Sequence, residues 1–261
     1  MSDIIQKVPF RKIFGLNFVN LTMNESCELL AECSKSKNRF YSIFTPNAQM
    51  TVDAIANESF MGVLKKADFL LPDGISIVIA SKILNIPLKC KVSGSTFFQK
   101  GCGYLSTIGA KIFLLGAADG VAEKAYLNLK KKYPNLNNVQ YYSPPLGFEN
   151  DKNENFKIIE MLKESTADVL FVAMSNGRGE KWIIENKDKY QIPVSIQVGA
   201  AFDFAAGLKS IPPEIIKKIG LAWLWRLIHE PKRLWRRYFF EDSKILFYII
   251  KEKINQIKEK N

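Results

Sequence analysis

The stretch IFLLGAADGVAEKAYLNLKKKY, residues 112–133, decides the fold class. Four apolar residues run into a glycine turn, and a segment with apolar positions at helical spacing follows. We therefore expect a buried strand over Ile112–Leu115 and a helix over Ala122–Tyr133. The turn would bring free backbone N–H groups to a place where a diphosphate could dock. On this segment alone a tight turn without a ligand is the better explanation, because Gly116 and Gly120 do not fit the glycine spacing of dinucleotide-binding loops.

The same alternation of short apolar runs and amphipathic segments extends from about residue 40 to residue 198. The predicted strands are Tyr41–Phe44, Phe69–Leu71, Ile112–Leu115, Val139–Tyr142, Val169–Ala173 and Val194–Val198. The helices expected between them are Ala48–Asn57, Ile75–Leu84, Ala122–Tyr133, Asn155–Glu164 and Glu180–Lys189. This order predicts an α/β fold, with a mostly parallel sheet covered by helices on both faces. Ligands of such sheets bind beyond the carboxyl ends of the strands, so the loops there are the candidate site.

Composition narrows the classes of function. A formal net charge of +11 over 261 residues favours anionic partners. The four cysteines show neither a CxxC pair nor a spacing with histidine, which indicates reduced thiols in a cytosolic protein. No apolar run has the length of a signal peptide or of a membrane span, so we expect a cytoplasmic protein whose membrane contact, if any, is peripheral.

Metal binding has no local signature in the sequence. No aspartate has a second aspartate two residues away, so the Asp-x-Asp pair that often holds a divalent cation in nucleotide-sugar transferases is absent. His229 is the single histidine, which excludes a histidine-rich site. We therefore expect no metal cofactor.

Three polar residues near strand ends are candidates for chemistry. Asp73, between a proline and a glycine, could act as a general base or cap the next helix, and capping is the better local explanation. Asp203 lies in GAAFDFAAG, residues 199–207, where it could equally bind a ligand hydroxyl or satisfy buried backbone donors. Thr45 ends a strand, and a structural turn is enough to explain it.

The last fifth of the chain differs from the rest. Residues 207–261 hold thirteen Lys/Arg against six Asp/Glu, and three of the four tryptophans. The core of this segment, IGLAWLWRLIHEPKRLWRRYFF at residues 219–240, interleaves cations and aromatic rings at helical spacing. We expect two or three helices after residue 211, with a helix start at Pro212–Pro213 and a start or a kink at Pro231. Such a surface suits an anionic, partly apolar partner, with membrane lipid the first candidate and nucleic acid the second.

Seven segments, in this order along the chain, resemble the WecG/TagA/CpsF glycosyltransferase family. They are TPNAQM (45–50), LPDGISIV (71–78), KVSGSTFF (91–98), IFLLGA (112–117), GEKWI (179–183), VGAAFDFAAG (198–207) and WLWRLIHEPKRLWRRY (223–238). Each alone would be weak, but the ordered set is specific and covers nearly the whole chain from Thr45 to Tyr238.

The resemblance implies a Rossmann-like α/β domain over residues 1–206 and a helical appendage over residues 207–261 that binds membrane and completes the active site. It implies inverting transfer of a sugar, N-acetylmannosamine or a related hexose or uronic acid, from a UDP-sugar. The acceptor would be a sugar on polyprenyl diphosphate, in surface polysaccharide or teichoic acid synthesis at the cytoplasmic face of a bacterial membrane.

The resemblance also assigns roles to residues. Asp73 would be the base and Thr45 would lie beside it. Without a metal, cationic groups and helix N-termini must neutralise the diphosphate. The expected substrate-binding residues are Asn47, Lys91, Gly116, Asn176, Arg178, Glu180 and Asp203. Those expected to face the membrane or the acceptor diphosphate are Arg226, Arg233, Arg236 and Arg237. Alternatively, the arginine face is merely solvated while Leu221, Leu224, Trp225 and Ile228 pack on the body.

The chain departs from the family pattern at five positions. The usual residues there are Arg, Asp, Gln, Arg and Glu, and this chain has Lys91, Thr96, Gly179, Ser210 and Ala222. Lysine cannot reproduce a bidentate arginine–phosphate contact. These departures leave open a catalytically impaired member that binds nucleotide sugar or lipid. The basic, tryptophan-rich tail also permits a basic nucleic-acid-binding module, for which no recognition motif is present. A homo-oligomer is compatible with the sequence.

Overall fold

The computed structural model describes residues 3–175, 177–213, 216, 221–236 and 244–258, with only the backbone at residues 3, 222, 226, 233 and 236. Within this part of the chain, eight strands form one sheet. They are β1 (Phe10–Ile13), β2 (Leu16–Val19), β3 (Tyr41–Phe44), β4 (Phe69–Leu70), β5 (Ile112–Gly116), β6 (Val139–Tyr142), β7 (Val169–Ala173) and β8 (Val194–Gln197).

Helices lie between and after these strands. They are α1 (Asp3–Gln6), α2 (Met23–Cys33), α3 (Ala48–Ala56), α4 (Glu58–Lys65), α5 (Ile75–Ile83), α6 (Gly94–Thr107), α7 (Val121–Lys132), α8 (Lys152–Glu164), α9 (Arg178–Tyr190), α10 (Ala201–Ala205), α11 (Ala222–His229), α12 (Pro231–Arg236) and α13 (Lys244–Lys258). All six predicted strands and all five helices predicted in the body are present, with ends that differ by no more than three residues.

The strand order is β1-β2-β4-β3-β8-β7-β5-β6. Pairing is parallel throughout, except for the antiparallel hairpin β1–β2 at one edge. The mostly parallel sheet is thus confirmed. The hairpin is an addition that the sequence pattern did not predict. Its turn residues Phe14 and Gly15 have φ of 52° and 77°, the left-handed pair that a two-residue hairpin turn requires.

Two hydrophobic cores flank the sheet, because successive side chains of a strand point to opposite faces. Leu114 of β5 belongs to the core that α2, α6, α7 and α10 cover on one face, whereas Leu115 belongs to the core that α3, α5, α8 and α9 cover on the other. On the first face Phe98 meets Phe171 edge-on at 4.9 Å between ring centroids. Helices therefore cover both faces, as predicted.

The described parts of the C-terminal segment contain three helices, α11, α12 and α13, in line with the two or three predicted, and Pro231 begins α12. Pro212 and Pro213 themselves are not helical, and residues 214–215 and 217–220 lie outside the described residues, so the helix start expected there stays a prediction. Trp225 donates from Nε1 to Ser210 Oγ at 2.8 Å, which ties α11 to the loop after α10. Leu221, Leu224 and Ile228 are exposed, so the packing of these three on the body is not what the structure shows.

Helix α13 packs on the α/β body, against α3 and α5, through the buried Ile245 and Ile249. Its Lys253 Nζ also donates to the carbonyl of Ile83 at 2.9 Å. The division of the chain at residue 207 stays a prediction. Within the described residues, no helix is both long and apolar enough to cross a membrane.

Candidate active site

The candidate site lies at the carboxyl ends of β3 and β8, which are neighbours in the sheet. This region is called the crevice below, because it is where α/β sheets bind their ligands. The chain leaves β3 towards α3 on one face and leaves β8 towards α10 on the other. Loops that diverge to opposite faces leave open space between them, and ligands of α/β sheets bind at such a switch point. The loops after β4, β5 and β7 border the same edge.

Thr45 and Asp73 come together in this crevice. The N–H of Leu71 donates to the Phe44 carbonyl at 2.8 Å, and the N–H of Asp73 donates to the Pro46 carbonyl at 3.1 Å. These two bonds hold the loop after β4 against the loop after β3. Thr45 is buried, and its hydroxyl reaches towards the carbonyl of Gln197 at 3.5 Å.

Gly94, the first residue of α6, completes this centre. Its N–H donates to Asp73 Oδ2 at 3.2 Å. A Cβ on Gly94 would lie 2.8 Å from Thr45 Oγ1 and 3.6 Å from Asp73 Oδ2. The threonine hydroxyl and the carboxylate therefore converge on the N-terminus of α6. Capping of the following helix does not explain Asp73, because Gly74 is the N-cap of α5 and no side chain caps it.

Asp203 lies on α10 and is half-buried. Its Oδ2 is 3.1 Å from Lys209 Nζ, so its carboxylate forms an ion pair. The two alternatives left open for Asp203 were a ligand hydroxyl and buried backbone donors, and the structure adds a third partner, this cation. Lys209 was not among the residues predicted from the sequence, although it lies only six residues after Asp203 in a segment that already carried candidates.

Gly116 is required by the close approach of two strands. Its φ is +102°, and a Cβ there would lie 2.5 Å from the carbonyl oxygen of Ala173. The Ser143 hydroxyl donates to the carbonyls of Gly116 at 3.4 Å and Ala118 at 3.3 Å, which ties the loop after β6 to the glycine turn. No side chain caps α7, which begins at Val121, so its N-terminus remains compatible with a bound diphosphate.

Arg178 is held at the start of α9. Its Nη1 is 2.8 Å from Glu149 Oε1, and its Nε donates to Ser175 Oγ at 2.8 Å. The other oxygen of Glu149 is buried without a hydrogen-bond partner in the described part of the chain. Part of the positive charge of Arg178 is thus already compensated. Asn176 lies outside the described residues.

Lys91 and Asn47 differ in the hydrogen bonds and ion pairs that they form. Lys91 is half-buried, and no described residue gives it a hydrogen bond or an ion pair. The N–H of the next residue, Val92, donates to the Pro72 carbonyl at 2.7 Å, which keeps Lys91 beside the loop of Asp73. Asn47 caps α3, because its Oδ1 accepts from the Met50 N–H at 3.1 Å.

Glu180 is buried at the N-terminus of α9, with 2% of its surface exposed. Its Oε2 accepts from the Gly177 N–H at 2.8 Å, the contact of a helix capping box. Burial raises the pKa of Glu180 to about 7, and hydrogen bonds from the backbone and from Gln197 oppose that rise. The observed contacts of this side chain hold the start of α9.

Gln197, the last residue of β8, links the loops after β7 and β8 to the start of α9. Its Nε2 donates to the Met174 carbonyl at 3.0 Å, and its Oε1 accepts from the Gly199 N–H at 3.0 Å. Its amide also helps to hold Glu180. Gln197 was not among the residues predicted from the sequence, although a glutamine inside the apolar run of β8 indicates that its amide must find hydrogen-bond partners.

The remaining candidates are the tail arginines. Arg226, Arg233 and Arg236 lie on α11 and α12, and their side chains are outside the described part of the structure, as is the whole of Arg237. Among the described residues, no group of three or more histidine, cysteine, aspartate or glutamate side chains could hold a metal ion. The absence of a metal cofactor stays a prediction.

A model of the glycosyl transferase WecG/TagA/CpsF family matches residues 11–259 of the chain. The chain belongs to this family. It is also similar to curated proteins named N-acetylglucosaminyldiphosphoundecaprenol N-acetyl-beta-D-mannosaminyltransferase. Identity to the proteins of Staphylococcus aureus strains MW2 and NCTC 8325 / PS 47 is 26% over 249 residues, which cover 95% of the chain and 94% of each relative. Identity to the protein of strain MRSA252 is 27% over 250 residues, with the same coverage.

The packing around Gly179 explains one departure of this glycosyltransferase from the family pattern. A Cβ on Gly179 would lie 2.8 Å from both Cδ and Nε2 of Gln197. That amide is buried and fixed by two hydrogen bonds, so it cannot move aside cheaply. In this enzyme a side chain at position 179 and the observed conformation of Gln197 therefore exclude each other.

The buried Glu180 predicts a pH dependence of stability for this glycosyltransferase. Its pKa rises from 4.5 to about 7 on folding, so the native state favours the protonated form. The stabilisation of the folded state by protonated Glu180 is fully present below pH 4.5 and is lost as the pH rises to about 7. The change corresponds to roughly 3 kcal/mol of unfolding free energy.

Glu180→Gln keeps an acceptor for the Gly177 N–H and removes the titration. We expect the variant to gain melting temperature over the native enzyme as the pH rises from 4.5 to 8, measured by thermal unfolding. A difference that does not change with pH would contradict this role.

Proposed function

We propose that this glycosyltransferase moves a sugar, with inversion, from a UDP-sugar to a sugar carried on polyprenyl diphosphate, in surface polysaccharide or teichoic acid synthesis. N-acetylmannosamine is the first donor sugar to test, and lipid-linked N-acetylglucosamine the first acceptor, because the names of its relatives state both. The observation that carries the proposal is the convergence of Thr45, Asp73 and the Gly94 N–H in the crevice.

Inversion needs a single displacement at the anomeric carbon. In the proposed step, Asp73 takes the proton of the acceptor hydroxyl, the acceptor oxygen forms the new bond, and the bond to UDP breaks on the opposite side. The Gly94 N–H orients the carboxylate from the N-terminus of α6. We propose that the Thr45 hydroxyl, which also lies beside Gly94, hydrogen-bonds the reacting sugar.

The leaving diphosphate needs positive charge as its bond to the sugar breaks. Among the described side chains, three cations lie at the loops of this site: Lys91 beside the Asp73 loop, Arg178 at the start of α9, and Lys209 after α10. Arg178 and Lys209 are paired with carboxylates in the absence of substrate, so a diphosphate would compete with Glu149 and Asp203 for them. We propose that these groups and the uncapped N-terminus of α7 act without a metal ion.

A lipid-linked acceptor keeps its diphosphate at a membrane surface. We therefore propose that the enzyme acts as a peripheral protein on the anionic cytoplasmic face, with the arginines of residues 226–237 directed to lipid or to the acceptor diphosphate. The bond from Trp225 to Ser210 supports this arrangement, since it ties α11 to the chain seven residues after Asp203.

The test is a screen of UDP-sugars against a short-chain, water-soluble lipid-diphosphate N-acetylglucosamine, read by mass spectrometry of the product and by UDP release. We expect one donor to give a disaccharide product with inverted anomeric configuration. Binding of UDP-sugar without transfer to any acceptor would contradict the proposal and favour the impaired member that Lys91, Thr96 and Gly179 suggested. Salt-sensitive binding to an oligonucleotide, without binding to anionic vesicles, would favour the nucleic-acid module.

A further inference from the structure

Strand β6 is an open edge of the sheet. It pairs with β5, and no other described strand lies beyond it. The Ile112 N–H donates to the carbonyl of Asn138 at 2.8 Å, and in a parallel ladder alternate residues of a strand face its neighbour. The N–H and C=O groups of Val139 and Tyr141 therefore point away from β5. Such groups are a template for a further strand unless the edge is protected.

The two edges of the sheet differ in their protection. Strand β1 at the other edge reads FRKI and carries two cations, which oppose the addition of a strand. Strand β6 reads VQYY, without a charged residue or a proline. Gln140 and Tyr141 are exposed, the latter at 41%. Strand β6 is thus the edge that suits a partner.

Helix α7 lies over β6 and adds a second contact face. Glu123, Tyr126, Leu127 and Lys130 are spaced by three, one and three residues, so they lie on one side of the helix. The ring of Tyr126 lies 6.3 Å from that of Tyr141, which turns this side towards β6. Leu127 is 50% exposed, although it lies at the centre of the face.

The charges of this face suit a second copy of the same face. The Glu123 carboxylate accepts a hydrogen bond from the Tyr141 phenol, and Lys130 Nζ donates to the neutral amide of Asn137. Neither charge has an ion-pair partner in the described part of the chain. The two residues lie at equal distances on either side of the midpoint of α7. A twofold axis at that midpoint would place Glu123 of each copy opposite Lys130 of the other.

The same axis suits the strand. Antiparallel pairing of β6 with its copy through Val139 and Tyr141 would be centred on Gln140, next to the residue that contacts Tyr126. Helix α7 packs over both β5 and β6. Because neighbouring strands are about 4.8 Å apart, the two copies of α7 would lie about 10 Å apart across the axis. This is close to the separation at which helices pack against each other, roughly 8–10 Å.

We propose that the β6–α7 edge binds a second copy of this chain, with the two β6 strands antiparallel and the two sheets continuous. The β6–α7 edge consists of Glu123, Tyr126, Leu127, Lys130 and strand β6. An unrelated strand would satisfy the open backbone groups without using the matched charges, so a copy is the better occupant. Two strands, β7 and β5, separate β6 from β8, and the contact therefore leaves the crevice uncovered. Antiparallel pairing points the two crevices in opposite directions, so one flat membrane reaches only one of them at a time.

The test is sedimentation velocity of the full-length protein over a range of concentrations. We expect a dimer that dissociates on dilution. Glu123→Lys and Lys130→Glu each bring like charges together across the axis, and each should raise the dissociation constant about tenfold or more. The double variant Glu123→Lys/Lys130→Glu restores opposite charges and should recover the native constant. The matched control is Lys124→Glu, exposed on another side of α7, which should dimerise as the native protein does.

Hydrogen exchange, read by mass spectrometry, reports on β6 itself. In the dimer the N–H groups of Val139 and Tyr141 are paired, so their peptide should exchange more slowly in the native protein than in Glu123→Lys at the same concentration. Recovery of the dimer in the double variant would show that neither substitution unfolds the chain.

Three results would overturn the proposal. The native protein could be a monomer at every concentration, or the single charge variants could dimerise as well as the control. The double variant could remain as weak as the single ones, which would exclude the twofold pairing of Glu123 with Lys130. A native dimer whose β6 peptide exchanges as fast as that of Glu123→Lys would likewise place the interface elsewhere. The β6–α7 edge lies outside the crevice, so all variants should transfer sugar to the short-chain acceptor at the native rate.

Discussion

Replacement of Asp73 by asparagine is expected to lower the turnover of sugar transfer by about 1,000-fold or more, within the range that removal of a general base produces. Asparagine has the shape of aspartate and can still accept the Gly94 N–H through its amide oxygen, so the crevice should keep its form. It cannot take the proton of the acceptor hydroxyl. The measurement is UDP release in the presence of both the UDP-sugar and the short-chain lipid-diphosphate acceptor.

The Asp73→Asn experiment needs evidence that the site itself is intact. Calorimetric titration with UDP should give the native affinity, and the melting temperature should remain within a few degrees of the native value. An Asp73→Asn enzyme that turns over at a near-native rate would remove Asp73 as the base. A variant that neither binds UDP nor melts normally would show instead that the carboxylate holds the loops together.

The parallel strands were predictable because they are buried on both faces. Runs such as Val169–Ala173 consist entirely of apolar residues, and the structure buries each of them. The hairpin β1–β2 was missed because its edge strand has no such run. The sequence of that edge strand, FRKI, has two cations in four residues, and only its last residue is buried. An edge strand has fewer covered neighbours, so its pattern is weaker.

Helix α6 was missed for a different reason. It contains Gly94, Gly101 and Gly103, and glycine disfavours helix by roughly 1 kcal/mol per residue. Packing overrides that preference. A Cβ on Gly101 would lie 2.8 Å from Leu30, and one on Gly103 would lie 2.7 Å from Tyr133. The glycines allow neighbouring side chains to approach the helix closely, which local propensity cannot reveal.

The candidate site, like the fold, was predictable only in part. Its loops were predictable, because each follows a recognisable strand. The contacts of Asp73 with Gly94 and of Asp203 with Lys209 depend on where loops meet in space. The docking of α13 was equally hidden, since a helix with two apolar faces does not indicate which face the body covers. The sequence shows which loops follow strands, whereas only the folded structure shows which residues of different loops contact each other.

Replacement of Gly94 by alanine should produce the second largest loss, about 100-fold in kcat/KM, because it places a methyl group in the catalytic centre. That Cβ would lie 2.8 Å from Thr45 Oγ1 and 3.6 Å from Asp73 Oδ2, so the buried threonine or the start of α6 must shift. A displacement of about 1 Å among reacting groups is enough for a loss of this size.

Stability should change far less than activity in Gly94→Ala. Position 94 starts a helix, its φ lies outside the left-handed region, and alanine favours helix over glycine. The matched control is Gly62→Ala in α4, where a Cβ would meet nothing within 4 Å. It should keep native kinetics with a slightly raised melting temperature. Steady-state kinetics with the short-chain acceptor give kcat/KM of both variants, and thermal unfolding gives their melting temperatures. If Gly94→Ala retained native kcat/KM, the space between Thr45 and Asp73 would not be where the sugar reacts, since a methyl group there must obstruct any substrate that both side chains touch.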